Sequence, residues 1–311
     1  MYGVRLVPAP VVDREEPGMA DDASRPRRLK GADVGIPPRQ LNFRLPDELS
    51  SWPYADNATA TLFLATLSAI FPPGEDFFVQ SVVHFRDRVV EEDLRARVAG
   101  FTAQEVIHSR EHDRLNGAFR ARGFPVGVPE KAVAGALKLL QQTSRRQQLA
   151  CTALMEHFTA VLAEDILGTD EFRERVHADI AELWLWHALE ELEHKSVTYE
   201  VYDLIGTSER ERRRAVPLVL CTVGVATLFG WGFLLAQQGV WRRPSDLYGG
   251  WRLIFGRGQF MRRILARMPL FNHPRFHPNN HDPRALEQQW REALFGDHGS
   301  LTGHLRRPAS G

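Results

Sequence analysis

Apolar residues in this chain recur at helical intervals, and no stretch alternates as a strand would. The first strong helical stretch is 55–71, ADNATATLFLATLSAIF, which Pro72, Pro73 and Gly74 are expected to stop. From Glu75 to Leu204 almost every segment favours helix, with breaks at 91–93, 123–129 and 168–170. The pattern therefore predicts four long helices, at 75–90, 93–121, 130–167 and 170–205. Asp170 and Glu171 suit the positive end of the last one. Ahead of these, residues 1–45 are rich in Pro, Arg, Asp and Gly and lack an apolar period. They read as a largely disordered leader with some docking near 41–45. The expected organisation is all-α: the leader, a helix bundle over 46–210, and a third part over 211–311. That last part holds an apolar helix, a basic amphipathic helix and a His/Pro-rich tail.

Composition narrows the classes. A chain of 311 residues makes one or two domains, and 43% hydrophobic with 25% charged residues is ordinary for a globular protein. Thirty-nine basic and 39 acidic side chains cancel, which argues against a nucleic-acid binder. Cys151 and Cys221 exclude a disulfide scaffold or a Cys-rich metal site, and each reads as a packed thiol in an apolar stretch. The first apolar run, 4–12, is broken by Arg5, Pro8 and Pro10, so no secretion signal is read and the cytoplasm is the expected compartment.

Chemistry enters with two Glu-x-x-His motifs, Glu105 to His108 and Glu191 to His194. Residues i and i+3 share a helix face, so each pair can grip a metal ion from one side. The preceding helix offers a further carboxylate in each case: Glu75 stands 30 residues before Glu105, and Glu156 stands 35 before Glu191. Folded as antiparallel hairpins about 90 and about 173, both halves put one Glu level with one Glu-x-x-His. Carboxylate-bridged two-metal sites in helix bundles use that set, with imidazole suited to iron, manganese or zinc. The surroundings are apolar (FTAQEVIH, CTALMEHF, WLWHALEELEH), and a buried carboxylate there needs a cation or a proton.

FPPGEDFF (71–78), QEVIHSREHDRLN (104–116) and WHALEELEHKSVTYEVYD (186–203) resemble the bacterial family called predicted metal-dependent hydrolases, over about residues 45–285. The resemblance implies a ferritin-like four-helix bundle with extra N- and C-terminal helices. It implies Glu75, Glu105, His108, Glu156, Glu191 and His194 as metal ligands. At the level of spacing the set is also similar to the small subunit of ribonucleotide reductase and to multicomponent monooxygenases.

His112 and His187 lie one turn from His108 and Glu191 on the same faces, which suits a further ligand, a proton relay or a general base. The bland reading is a surface histidine bonded to Glu111 or Glu190. Tyr199 and Tyr202 read as core, and His273, His277 and His281 as loop. The run 215–236 carries no charge, and its 22 residues would extend about 33 Å, enough for a bilayer core. Arginines flank it, and 251–271 mixes five arginines with Trp, Leu, Ile and Phe, as a helix at a membrane interface does. The expectation is membrane contact through 215–271, either in the plane or as a single pass. The functional reading is a two-metal enzyme, with iron first and manganese or zinc as alternatives. O2-dependent oxidation of a hydrophobic or lipid-like substrate, with an electron donor, stands first. Hydrolysis by activated water is the alternative, and a non-enzymatic metal-binding or scaffold role the third. A homodimer is the expected assembly if there is one.

Overall fold

The computed structural model describes residues 34–43, 45 and 52–305. Residues 1–33 of the leader expected over 1–45, and residue 44, lie outside them. Within the described residues the fold is all-α. The only extended pairings there are two isolated bridges, Leu41 with Leu305 and Tyr54 with Val176.

Four helices form the central bundle: α1 (Ala58–Val83), α2 (Glu92–Ala121), α4 (Arg145–Gly168) and α6 (Ala178–His194). Helices α1 and α2 pack as one hairpin and α4 and α6 as another, and the two hairpins face each other. Helix α3 (Gly127–Leu140) lies outside against α1, and the short α5 (Asp170–Arg175) turns the chain from α4 into α6. After α7 (Val197–Leu204) the chain runs through α8 (Glu209–Val219), a π-helical turn at Leu220–Gly224 and α9 (Val225–Gln237) as one continuous rod. Helices α10 (Pro244–Phe255), α11 (Phe260–Arg267) and α12 (Arg284–Phe295) then wrap back over the bundle.

Three expected boundaries differ. Helix α1 continues through Pro72 and Pro73 to Val83, where a stop was expected. Pro72 lacks the N–H that would bond the carbonyl of Ser68, and the side-chain amide of Asn116 on α2 donates to that carbonyl instead, at 3.1 Å. The expected helix at 130–167 is two, because Ser144 caps a fresh start by accepting from the Gln147 N–H. The expected helix at 170–205 is three, with turns at 176–177 and 195–196.

The docked part of the expected leader begins earlier than 41: Ile36 is buried against Gly100 of α2, and Arg39 is buried as well. A Cβ on Gly100 would sit 2.7 Å from the Ile36 carbonyl oxygen, so only glycine lets the segment lie this close. The C-terminal part is tied to the bundle by Asp246 of α10. Its carboxylate accepts from the N–H groups of Ala58 and Thr59 at the start of α1.

Apolar packing falls into two clusters stacked along the bundle. One holds Leu62, Phe71, Ile107, Trp184 and Leu189, and the other Phe78, Phe101, Leu149, Val197 and Tyr202. Glu75, Glu105 and Glu156 lie between members of the two along their own helices, and Glu191 lies near the end of α6, ahead of the second cluster's Val197 on α7, so a polar layer divides the core.

Candidate metal centre

Each bundle helix brings its carboxylate to this layer: Glu75 from α1, Glu105 from α2, Glu156 from α4 and Glu191 from α6, all at most 4% exposed. His108 and His194, one turn on from Glu105 and Glu191, are fully buried beside them. The structure thus brings all six expected ligand residues together. Glu191 Oε1 is central, 2.9 Å from His187 Nε2, 3.6 Å from His194 Nε2 and 3.7 Å from His108 Nδ1. Glu105 Oε1 approaches His194 Nε2 at 3.1 Å, Glu156 Oε2 lies 3.8 Å from the same nitrogen, and Glu75 Oε1 lies 3.8 Å from His187 Nε2. Three overlapping sets have donor atoms close enough to share a cation: Glu75, His108 and His187; Glu105, His108 and Glu191; Glu105, Glu156 and His194.

Polar atoms in this layer lack ordinary partners. Both carboxylate oxygens of Glu75, Glu105 and Glu156, one of Glu191, His108 Nδ1 and His194 Nε2 are buried without a hydrogen bond. Such groups are costly unless something positive stands among them. The electrostatics say the same for the metal-free protein. Burial, with Glu105 next, pushes Glu75 up well, and Glu156 likewise. Burial also opposes charge on His194 and on Glu191. Yet Glu191 and Glu105 carry His194 well above the usual imidazole range, and His194 and His187 hold Glu191 well below the usual carboxylate range. Hard oxygen donors with imidazole nitrogens suit a divalent iron, manganese or zinc ion, so the residues present fit a metal.

The far sides of the three histidines settle which nitrogen faces inward. His108 Nε2 lies 3.0 Å from the Glu190 carboxylate, which can only accept, so Nδ1 carries the inward lone pair. His194 Nδ1 lies 2.9 Å from Gln104 Oε1, an acceptor because Gln104 Nε2 donates to Glu193 and to the Pro37 carbonyl. His194 therefore presents Nε2. For His187 the chain is longer. Asn116 donates to the Ser68 carbonyl, so its Oδ1 accepts from the Ser68 hydroxyl at 2.8 Å. The hydroxyl then accepts from His112 Nδ1 at 2.9 Å, and His112 Nε2 accepts from His187 Nδ1 at 2.6 Å. His187 Nε2 is left facing Glu191 Oε1, at 2.9 Å, and Glu75. Of the two additional histidines, His187 faces the centre, and His112 orients it from behind.

Around this lies a second set of charges that the motifs did not disclose. Arg39 donates to Glu190 Oε1 at 2.9 Å and to both oxygens of Glu193, at 2.7 and 2.8 Å, while its guanidinium lies over the Phe295 ring. Both Glu-x-x-His histidines are thereby tied to one arginine, His108 through Glu190 and His194 through Gln104 and Glu193. Such outer partners orient ligands and tune their basicity. Glu190 and Glu193 stood in view beside Glu191, but Arg39 sits in a Pro-rich stretch with no periodic signal. Glu111 serves Arg110 and Arg114 rather than a histidine.

The other histidines and the tyrosines have local tasks. His273 and His277 accept from the N–H groups of Arg275 and Asn279 in their turns, and Tyr199 donates to the Phe276 carbonyl. From His187 and Glu191 a narrow cleft lined by Phe71, Leu162, Ile166 and Trp184 runs between α4 and α6. A second apolar cavity shares Leu162, Ile166 and Trp184 and extends to Phe63 and Phe260.

The family model described as a predicted metal-dependent hydrolase matches residues 37–282. The matched stretch begins with the docked segment that carries Arg39 and spans every residue of the centre. No curated protein and no solved structure matches the chain.

Proposed function

The chain belongs to the predicted metal-dependent hydrolase family, and from that premise we propose a two-metal enzyme that cleaves esters or amides of apolar substrates. One observation carries this reading: four buried carboxylates whose oxygens are almost all partnerless, facing three histidine nitrogens turned inward. Two divalent cations would balance the four carboxylates. Glu75, His108 and His187 would hold one and Glu105, Glu156 and His194 the other, with Glu191 between them. Metals so held supply a Lewis acid and an activated water. The protein's own part is positional. Glu190, Gln104 and His112 each hold the far nitrogen of one imidazole, and the narrow apolar cleft beside His187 and Glu191 keeps bulk water from the site. The two adjoining cavities are apolar but small, about 20 and 10 Å³, so an acyl chain would enter only as the helices lining them part.

A second reading, oxidation by O2, is favoured by the closure of the site. None of the ligand residues is more than 4% exposed, which suits a small reagent better than a bulky ester. One experiment separates the two. Metal-stripped protein is reloaded with Zn(II), Mn(II) or Fe(II) under argon and assayed on acyl esters of increasing chain length. Hydrolysis without oxygen, falling at least roughly a hundredfold in Glu105→Gln and Glu191→Gln proteins of unchanged helicity, supports hydrolysis. Silence under argon, with O2 uptake by the Fe(II) form, replaces it with the oxidase.

A further inference from the structure

The rod from Glu209 to Gln237 is the most apolar helix described, yet little of its apolar part is buried. A core helix would be covered. One edge docks on the bundle: α8 on α4, the π-helical turn on α3, and α9 on α3 and α1. Arg212, Ala215, Gly230, Trp231 and Leu234 face that side. The opposite edge presents Pro217, Leu220, Cys221, Val225, Leu228, Phe229, Gly232 and Ala236, an uncharged exposed stripe at helical spacing. It runs about 29 Å at 1.5 Å per residue. Leu228 and Phe229 are 60% and 59% exposed. Exposed arginines bracket the stripe, Arg210, Arg213 and Arg214 before it and Arg242 and Arg243 after it. Exposed Trp241, Tyr248 and Trp251 extend it onto α10, where Trp251 stacks on Trp231. Arg242 lies over Trp241, and Arg252 over Tyr248. The acids nearby are engaged: Glu209 with Arg213, and Asp246 with the start of α1.

We propose that the exposed edge of α8–α9 together with α10 seats the protein on an anionic lipid bilayer, with the rod lying in the membrane plane. Apolar and aromatic side chains enter the boundary between headgroups and acyl chains, and the bracketing arginines meet lipid phosphates. Spanning is disfavoured by the packing. The rod is held along its length by the bundle, and a bilayer around it would have to take in exposed Lys131 and Lys138 of the adjoining α3. This inference stands apart from the reaction type, since it uses no residue of the metal centre.

The test is sedimentation of the full chain with vesicles of phosphatidylcholine, with or without phosphatidylglycerol. The expected result is binding to the anionic vesicles, weakened by salt. Paired Leu228→Asp and Phe229→Asp substitutions should reduce it at least roughly tenfold. Because both side chains are exposed, helicity and metal content should survive. A polarity-sensitive dye on Cys221 should shift to the blue with vesicles, and be quenched by nitroxides placed shallow in the acyl chains. Absence of vesicle binding overturns the proposal. So does a vesicle-free dimer that the two aspartates split, which would make a second copy the occupant of this face. Quenching chiefly from the bilayer midplane would overturn the in-plane orientation.

Discussion

At the scale of single residues the centre depends on groups that never face it. Arg39 neutralises Glu190 and Glu193 in a buried setting; burial works against its charge, and the two carboxylates more than restore it. Removing one partner of a buried ion pair costs about 3–5 kcal/mol, because the remaining charges stay uncompensated. Arg39→Met is therefore expected to lower stability by about that much, measured by denaturant unfolding, and to weaken metal binding by about 10–100-fold. Arg39→Lys should recover little of either, since an ammonium cannot make the forked contacts. Wild-type metal affinity in Arg39→Met would show that the arginine is packing alone. The two thiols give a second expectation. Both were read as packed, but the structure corrects one: Cys221 is exposed on the rod and Cys151 is buried on α4. Burial pushes the Cys151 thiol up to about 12. With a disulfide reagent at about pH 8, and no lipid present, the native chain should react at Cys221 alone, and at both thiols after unfolding. Fast native modification of Cys151 would contradict its burial.

At the scale of elements, the helices that carry the six expected ligand residues were legible and their ends were not, for one physical reason. Glu75, Glu105, His108, Glu156, Glu191 and His194 follow local i, i+3 geometry and hairpin spacing, and both can be read along the chain. The path of α1 through Pro72 depends on Asn116, 48 residues from the Ser68 carbonyl it satisfies, and no local pattern carries that. Arg39 is a harder case: its partners lie more than 150 residues away, on α6. His187 was visible as a candidate, but its inward nitrogen follows from Ser68, His112 and Asn116 on two other helices. The rod shows the converse, since its apolar run was plain and only packing could say which side is covered. Gly230 tests that packing. A Cβ there would fall 2.4 Å from Cβ of Pro129 on α3, whereas nothing lies within 4 Å of the site above Gly232. Gly230→Ala is expected to destabilise by about 1–3 kcal/mol through forced separation of α9 from α3. Gly232→Ala should be neutral or stabilising by up to about 1 kcal/mol, because alanine favours helix. Equal thermal melts for the two variants would mean that the α3–α9 contact is looser than described.

At the scale of the whole molecule, the polar layer divides the apolar core, so stability is expected to depend on metal content. Without metal, the fold must keep Glu75 and Glu156 protonated, since burial and then Glu105 push both well up. A carboxyl raised in the folded state contributes stability fully below its unfolded value of 4.5, and loses it as pH climbs through the folded value. His194, raised by Glu191 and Glu105 against its burial, loses its share in the same direction above 6.5. Histidines 108 and 112, lowered first by burial and then by His187, act oppositely, but their effect is complete once pH passes 6.5. Glu191, held low, contributes a constant amount throughout this range. The metal-free protein should therefore lose stability between about pH 7 and pH 8.5, the side of 6.5 on which nothing offsets Glu75, Glu156 and His194. With metal bound, the carboxylates are already deprotonated ligands and the slope should flatten. The rise in melting temperature on adding metal should then be larger at about pH 8.5 than at about pH 7, with protons released on binding. Parallel thermal melts of chelator-treated and reloaded protein at the two pH values measure this. A metal-induced shift that shrinks with pH, or none at either value, would place the metal outside the buried layer and remove the ground for a two-metal centre.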